Sequence, residues 1–262
     1  MTERQPLFAT ADPDTGRPAL LLLHGMLTSS LHWQPNAALS DHFRLIHVDL
    51  PGHGASPPPM TPEEAHPAAI IAAIETIRQR LGITAWHLCG ASFGAGIALH
   101  YALDHPYTCL SVSFTNSNSA LRPAWTVSDL QAQAGLAARI RAGRRDAVRA
   151  LPYHPAHARR FPSDLRATLT DVAERILPET VALLQQEAIP RLTVRHHLGG
   201  LQRRCQLLNG KFERRFQAVR DWLAKAHPRI VIVDLPGGHS VNIENPKDFD
   251  AAMIAFLNNS GP

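Results

Sequence analysis

The chain has 262 residues, of which 45% are hydrophobic and only 6% aromatic, with a formal net charge of +4. That is material for one large core built on Leu, Ile, Val and Ala, and the basic charge is mostly scattered arginine rather than lysine clusters interleaved with aromatics, which sets nucleic-acid binding aside. No run of about eighteen apolar residues occurs, so no membrane span is expected. Residues 1–6 lack the apolar stretch of a signal peptide, and a cytoplasmic location is the default expectation. Cys89, Cys109 and Cys205, odd in number and far apart, read as small buried residues of a reducing compartment rather than a disulfide framework.

Short apolar runs at 19–23, 45–48, 86–89 and 110–114 lack strict alternation and are closed by turn residues, as strands buried on both faces of a parallel sheet are. Between them lie helical patterns. Residues 68–81 place Ile70, Ile71, Ile74, Ile77 and Leu81 near a 3.6-residue period, and 93–103 follow the third run directly. Alternating strand and helix implies an α/β chain with a mostly parallel sheet. After Asn118 the pattern changes: helices are expected over 127–150, 163–176 and 179–188 and just after Pro190, punctuated by prolines. Strands resume at 206–208 and 230–233, and a last helix covers about 246–257. The expected organisation is a core of residues 1–119 and 201–262, with a helical insertion at 120–200.

Gly90-Ala91-Ser92-Phe93-Gly94 fits G-x-S-x-G and sits where a strand turns into a helix. A sharp turn there requires tiny neighbours, and the helix N-terminus favours negative charge beside the serine. With His24-Gly25 after the first run and Asp49-Leu50-Pro51-Gly52-His53-Gly54-Ala55-Ser56 after the second, the chain resembles the α/β-hydrolase superfamily along almost its whole length. The resemblance implies that fold, with a helical cap over the site, and Ser92 as nucleophile. A hydroxyl needs a base. Of fifteen histidines, His239 in Gly237-Gly238-His239-Ser240 follows the last strand and resembles the family's G-H-x-x-x-x-E-x-P segment. The acid is expected after the preceding strand, where Glu213 stands in place of the more common Asp; residues 114–118, where some relatives keep it, hold no carboxylate. The alternative for Glu213 is a solvated surface residue.

By the same resemblance the backbone N–H groups of Met26 and Phe93 form the oxyanion hole. Leu27 and Trp33 are substrate-binding candidates, with plain core as the alternative. No cofactor is implied, and no acid–histidine spacing suits a metal. Residues 120–200 hold twelve arginines against seven acids, which reads either as a solvated surface or as a mouth for an anionic or carrier-bound substrate.

Three functions compete. One is hydrolysis of an ester or thioester of a small acyl substrate through an acyl-serine. The second is elimination on an anionic biosynthetic intermediate, since several segments resemble the menaquinone-pathway synthases; the position of their carboxylate-binding arginine is Gly96 here. The biotin-pathway carboxylesterases are comparably similar, and the departure at Gly96 turns the reading toward an esterase or thioesterase. The third is a catalytically silent binding protein of the same fold, against which Ser92 and His239 both stand.

Overall fold

The structure is a computed structural model that describes residues 5–259; part of the N-terminal stretch read above for a signal peptide lies outside them. Seven strands form one sheet in the order β1-β3-β2-β4-β5-β6-β7. They are β1 (Ala9–Ala11), β2 (Ala19–Leu23), β3 (Arg44–Val48), β4 (Trp86–Gly90), β5 (Cys109–Thr115), β6 (Arg204–Gly210) and β7 (Val231–Leu235). All neighbours pair in parallel except β1, which runs antiparallel to β3.

The apolar run of β2 explains its place near the middle. All five residues are buried, and their alternation splits them between two cores. Leu21 and Leu23 join Ile46, Val48 and Leu88 on one face, while Leu20 and Leu22 join Phe43, Leu45 and Cys89 on the other. Helices α1 (Pro67–Arg80) and α2 (Phe93–Asp104) cover the first face; α9 (Pro246–Asn258) covers the second through Phe249, Met253 and Phe256. In α1, Ile70, Ile71, Ile74 and Ile77 are the buried stripe that their spacing predicts. Cys89, Cys109 and Cys205 are buried free thiols, each raised well above the ordinary thiol value by burial.

Between β5 and β6 the described residues form helices only: α3 (Asn118–Leu121), α4 (Val127–Arg149), α5 (Ser163–Arg175), α6 (Pro178–Leu183), a π turn at Leu184–Ala188 and short 3-10 turns. The long expected helix is present as α4 but is broken at Arg144, whose φ is +50°. Several elements were not expected, β1, α3 and α7 among them. The edge strand β1 has only three residues, and α7 (Arg214–Ala226) buries only Phe216 and Leu223. A short helix α8 (Val241–Glu244) precedes α9. No helix among the described residues is long and apolar enough to cross a membrane.

The fold positions the serine through the tightness of one turn. Ser92 sits at φ +52°, ψ −107°, a backbone state that costs about 1–3 kcal/mol for a non-glycine residue. The turn closes because Gly94 N–H reaches the carbonyls of Ala91 and His24, and Ala91 N–H that of Leu23. A Cβ on Gly94 would overlap the carbonyls of Leu23 and His24, and one on Gly90 that of Gly94. Gly94→Val is therefore expected to destabilise the protein by about 2 kcal/mol or more, lowering Tm by roughly 5 °C in a chain of this size, as read by calorimetry. An unchanged Tm would contradict the packing of the turn against β2.

Candidate active site

Ser92, His239 and Glu213 come from three separate strand ends: the turns after β4, β7 and β6 respectively. His239 Nε2 lies 2.9 Å from Ser92 Oγ, and its Nδ1 lies 3.0 Å from Glu213 Oε2. Glutamate has one methylene more than the aspartate usual at this place, and its reach is set by a second contact. Asn116 Nδ2 donates to the same Oε2 at 2.8 Å and to Gly210 O at 3.1 Å, while Gly210 N–H donates to Asn116 Oδ1 at 3.1 Å. Asn116 thus ties β5 to β6 and holds the carboxylate. The absence of a carboxylate in 114–118 was legible; that an amide there grips Glu213 was not.

The electrostatics follow from these contacts. Burial opposes a charge on His239, but the hydrogen bond and negative charge of Glu213, with the charge of Glu244, outweigh it and hold the imidazole above its ordinary value. Burial pushes the Glu213 carboxyl up, but His239, Asn116 and the charge of Arg215 hold it below its ordinary value. Glu244 is a further residue of the site. Its side chain is almost fully buried, it accepts the Gly238 N–H at 2.7 Å, and so it fixes the loop that carries His239. The G-H-x-x-x-x-E pattern contains it, but the pattern alone does not say what it grips.

His24 and His53 shape the turn beside the serine. His24 donates from Nδ1 to Gly25 O at 2.7 Å and accepts the Leu50 N–H on Nε2 at 2.9 Å; His53 donates to Pro51 O at 2.9 Å and accepts the Leu27 N–H at 3.2 Å. Burial lowers their pKa values to about 4 and about 3, so both are neutral hydrogen-bond brackets. Met26 and Phe93 flank Ser92 on the wall of one cavity of about 730 Å³, which also takes in His239 and Glu213. The rest of that wall includes Pro152, Tyr153, His154, Phe161 and Gln185 from the helical segment after β5.

Leu27 and Trp33 are corrections to the sequence reading. Both are buried in the core and neither lines the cavity. Leu27, at φ +60°, turns its side chain into the first core and contributes its N–H to His53. Trp33 packs on Phe249 in the second core, with ring centroids 6.1 Å apart. Its sequence neighbour His32 lines the cavity instead. Most of the arginines of 120–200 are also placed away from it. Arg122, Arg141, Arg145, Arg149 and Arg191 pair with Asp129, Glu179, Glu174, Glu174 and Glu187. Only Arg159 and Arg160 of that set reach the cavity wall, joined by Arg215 of α7. Among the described residues, no three His, Cys, Asp or Glu side chains gather so as to hold a metal ion.

The model of the family described as alpha/beta hydrolase fold matches residues 18–246. The chain belongs to that family. Among solved structures, this α/β-hydrolase superposes on the enol-lactonase of Burkholderia xenovorans LB400 with a TM-score of 0.81 at 23% identity, covering 97% of this chain and 96% of that one. It superposes on MenH from S. aureus with a TM-score of 0.82 at 18% identity, covering 97% and 98%. At those identities the likeness shows the fold. Curated relatives match over shorter stretches. A pimeloyl-[acyl-carrier protein] methyl ester esterase of Vibrio cholerae is 39% identical over 88 residues, 33% of this chain and 31% of the relative. A proline iminopeptidase of Neisseria gonorrhoeae is 35% identical over 85 residues, 29% and 27%. The aligned stretches thus span about a third or less of these relatives.

The raised pKa of His239 is directly measurable. In an NMR titration its ring should titrate above the ordinary histidine value of about 6.5, and in Glu213→Gln the midpoint should fall, because the partner charge that favours the imidazolium is gone. The same midpoint in both proteins would mean that Glu213 does not govern the ring.

Proposed function

We propose that the protein is a serine hydrolase that cleaves an ester or thioester of a small acyl substrate through an acyl-serine. The observation that carries this is the hydrogen-bonded line from Ser92 Oγ through His239 to Glu213 on the wall of a cavity. In this reading His239 Nε2 takes the Ser92 proton as Oγ attacks the acyl carbon. Its Nδ1–H remains on Glu213, whose charge stabilises the imidazolium. The oxygen that gains charge is received by the N–H groups of Met26 and Phe93, fixed in place by the strained turn and by the His24 and His53 brackets. His239 then gives its proton to the departing alkoxide or thiolate. Water attacks the acyl-serine by the same route in reverse, returning the proton to Ser92 and releasing the acid.

The helices after β5 act in this reading as a cap that shields the acyl group from water, since they supply part of the cavity wall. A cavity of about 730 Å³ suits a small acyl substrate. The elimination reading loses ground at Gly96. A Cβ there would run into the side chain of Leu192, which is fully buried, so the position has no room for a carboxylate-binding arginine. The silent-binder reading loses ground because the hydrogen-bonded line is complete.

A fluorophosphonate probe should label wild type at Ser92 and leave Ser92→Ala unlabelled, and on p-nitrophenyl and acyl-thioester substrates Ser92→Ala should lose about 10⁴-fold or more in turnover. Retention of a tenth of the activity would sink Ser92 as nucleophile. Arg159, Arg160 and Arg215 at the cavity support an anionic or carrier-bound acyl group, with Arg160 partly drawn to Glu244 at 3.8 Å. Catalytic efficiency on a carboxylate-bearing ester should then fall as salt rises, because exposed charges are screened beyond about 10 Å at 0.1 M, while a neutral ester of equal length should change little. Equal salt dependence would leave these arginines as solvated surface.

A further inference from the structure

Gln185 belongs to the π turn Leu184–Ala188 in the helical segment after β5 and is only 4% exposed, yet it forms part of the wall of the cavity that holds Ser92. One end of its side-chain amide, Nε2, donates to Tyr153 Oη at 2.5 Å. The other end, Oε1, has no hydrogen-bond partner among the described residues, and it is not one of their unpaired polar atoms that packing seals from solvent. The accessible part of Gln185 therefore includes this oxygen, and the cavity is the space that it faces. Tyr153 lines the same wall, and burial holds its phenol above the ordinary value, so it is a neutral partner that braces the amide. The Tyr153 hydroxyl can accept or donate, so with the amide turned over the bond between them survives and Nε2 becomes the open end.

The anchors of this segment say which part of a substrate reaches it. Thr180 lies against Gly52 after β3, Glu187 pairs with His66 ahead of α1 at 3.4 Å, and Leu192 lies against Gly96 in α2. These anchors belong to the flank of β3, α1 and α2, whereas Glu213 and His239 follow β6 and β7 on the other side of β4. His239 protonates the leaving group in the acyl-serine reading, so that group departs on the β6–β7 side and the acyl chain runs toward Gln185. An alkyl chain that displaces water from the open amide end leaves it bare, while a chain with a hydrogen-bonding group replaces that water. A hydroxyl or a carboxamide both donates and accepts, so it pairs with either end of the amide.

We propose that Gln185, braced by Tyr153, recognises a neutral hydroxyl or carboxamide carried on the acyl chain of the substrate. This rests on the acyl-serine reading and narrows its substrate class to esters or thioesters whose acyl chain bears such a group. A pocket built to hydrogen-bond that group discriminates against the analogue that lacks it.

The test uses p-nitrophenyl esters of increasing acyl length whose chains end in a hydroxyl or a carboxamide, each against the methyl-ended ester of the same length. Each kcat/KM is divided by the alkaline hydrolysis rate of that ester, which removes differences in intrinsic reactivity. At one length or more, wild type should favour a hydroxyl- or carboxamide-ended ester by roughly tenfold, the size of one such hydrogen bond. The ratio should fall toward one in Gln185→Leu and Gln185→Met, mainly through KM, and should be reduced in Tyr153→Phe, which loses the brace. Wild-type ratios near one at every length, or a variant that labels with a fluorophosphonate and keeps the wild-type ratio, overturn the proposal. The same labelling separates the two readings. Labelled wild type with ratios near one removes the Gln185 subsite and leaves the serine-hydrolase reading standing, whereas unlabelled wild type overturns both.

Discussion

The strained backbone at Ser92 is the constraint on which the site depends. A residue at φ +52° persists only where its surroundings leave no other choice. Here the surroundings are the carboxyl end of β2, whose Leu23 and His24 carbonyls accept amide protons from the turn and press against Gly94. β2 holds that position because its residues are buried on both faces. The apolar run and the reactive geometry are thus two ends of one mechanical chain. Hydrophobic burial fixes the strand, the strand fixes the turn, and the turn keeps Ser92 Oγ within reach of His239.

Around that turn the protein uses histidine in opposite electrostatic states. His24, His32 and His53 are buried among neutral hydrogen-bond partners, so desolvation dominates and their pKa values fall to between about 3 and about 4. His239 is also desolvated, though its side chain is partly exposed, but it faces Glu213 and Glu244, and its pKa rises. The difference comes from the carboxylates that face the His239 ring, together with its more open position. One class of histidine gives rigid brackets; the other gives a group that gains and loses a proton.

What the sequence made legible follows from the same physics. β2, β3, β4 and β5 stood out because strands buried on both faces show as continuous apolar runs. The turn at 90–94 stood out because glycines crowd only where side chains do not fit. The edge strand β1 escaped because its three residues are half-buried or exposed. Helix α7 escaped because it buries only Phe216 and Leu223 beneath a charged surface. The break of α4 at Arg144 has no counterpart in apolar spacing. At the site, the sequence points to the segment of Trp33 but not to the neighbour that faces the cavity: in a 3-10 turn adjacent residues face different ways, so His32 reaches the cavity while Trp33 enters the core. Asn116 and Glu244 act by gripping a carboxylate and a backbone N–H, and such roles exist only once distant strand ends are brought together.

The three cysteines carry a consequence of their own. Cys89, Cys109 and Cys205 are exposed by at most 3%, lie in β4, β5 and β6, and are held as neutral thiols by burial. Thiol reagents attack thiolates that they can reach, so the native sheet is closed to them. Alkylation of these thiols therefore requires opening of the central strands, and its rate is an internal clock for that opening, slowed by any ligand that binds only the closed protein.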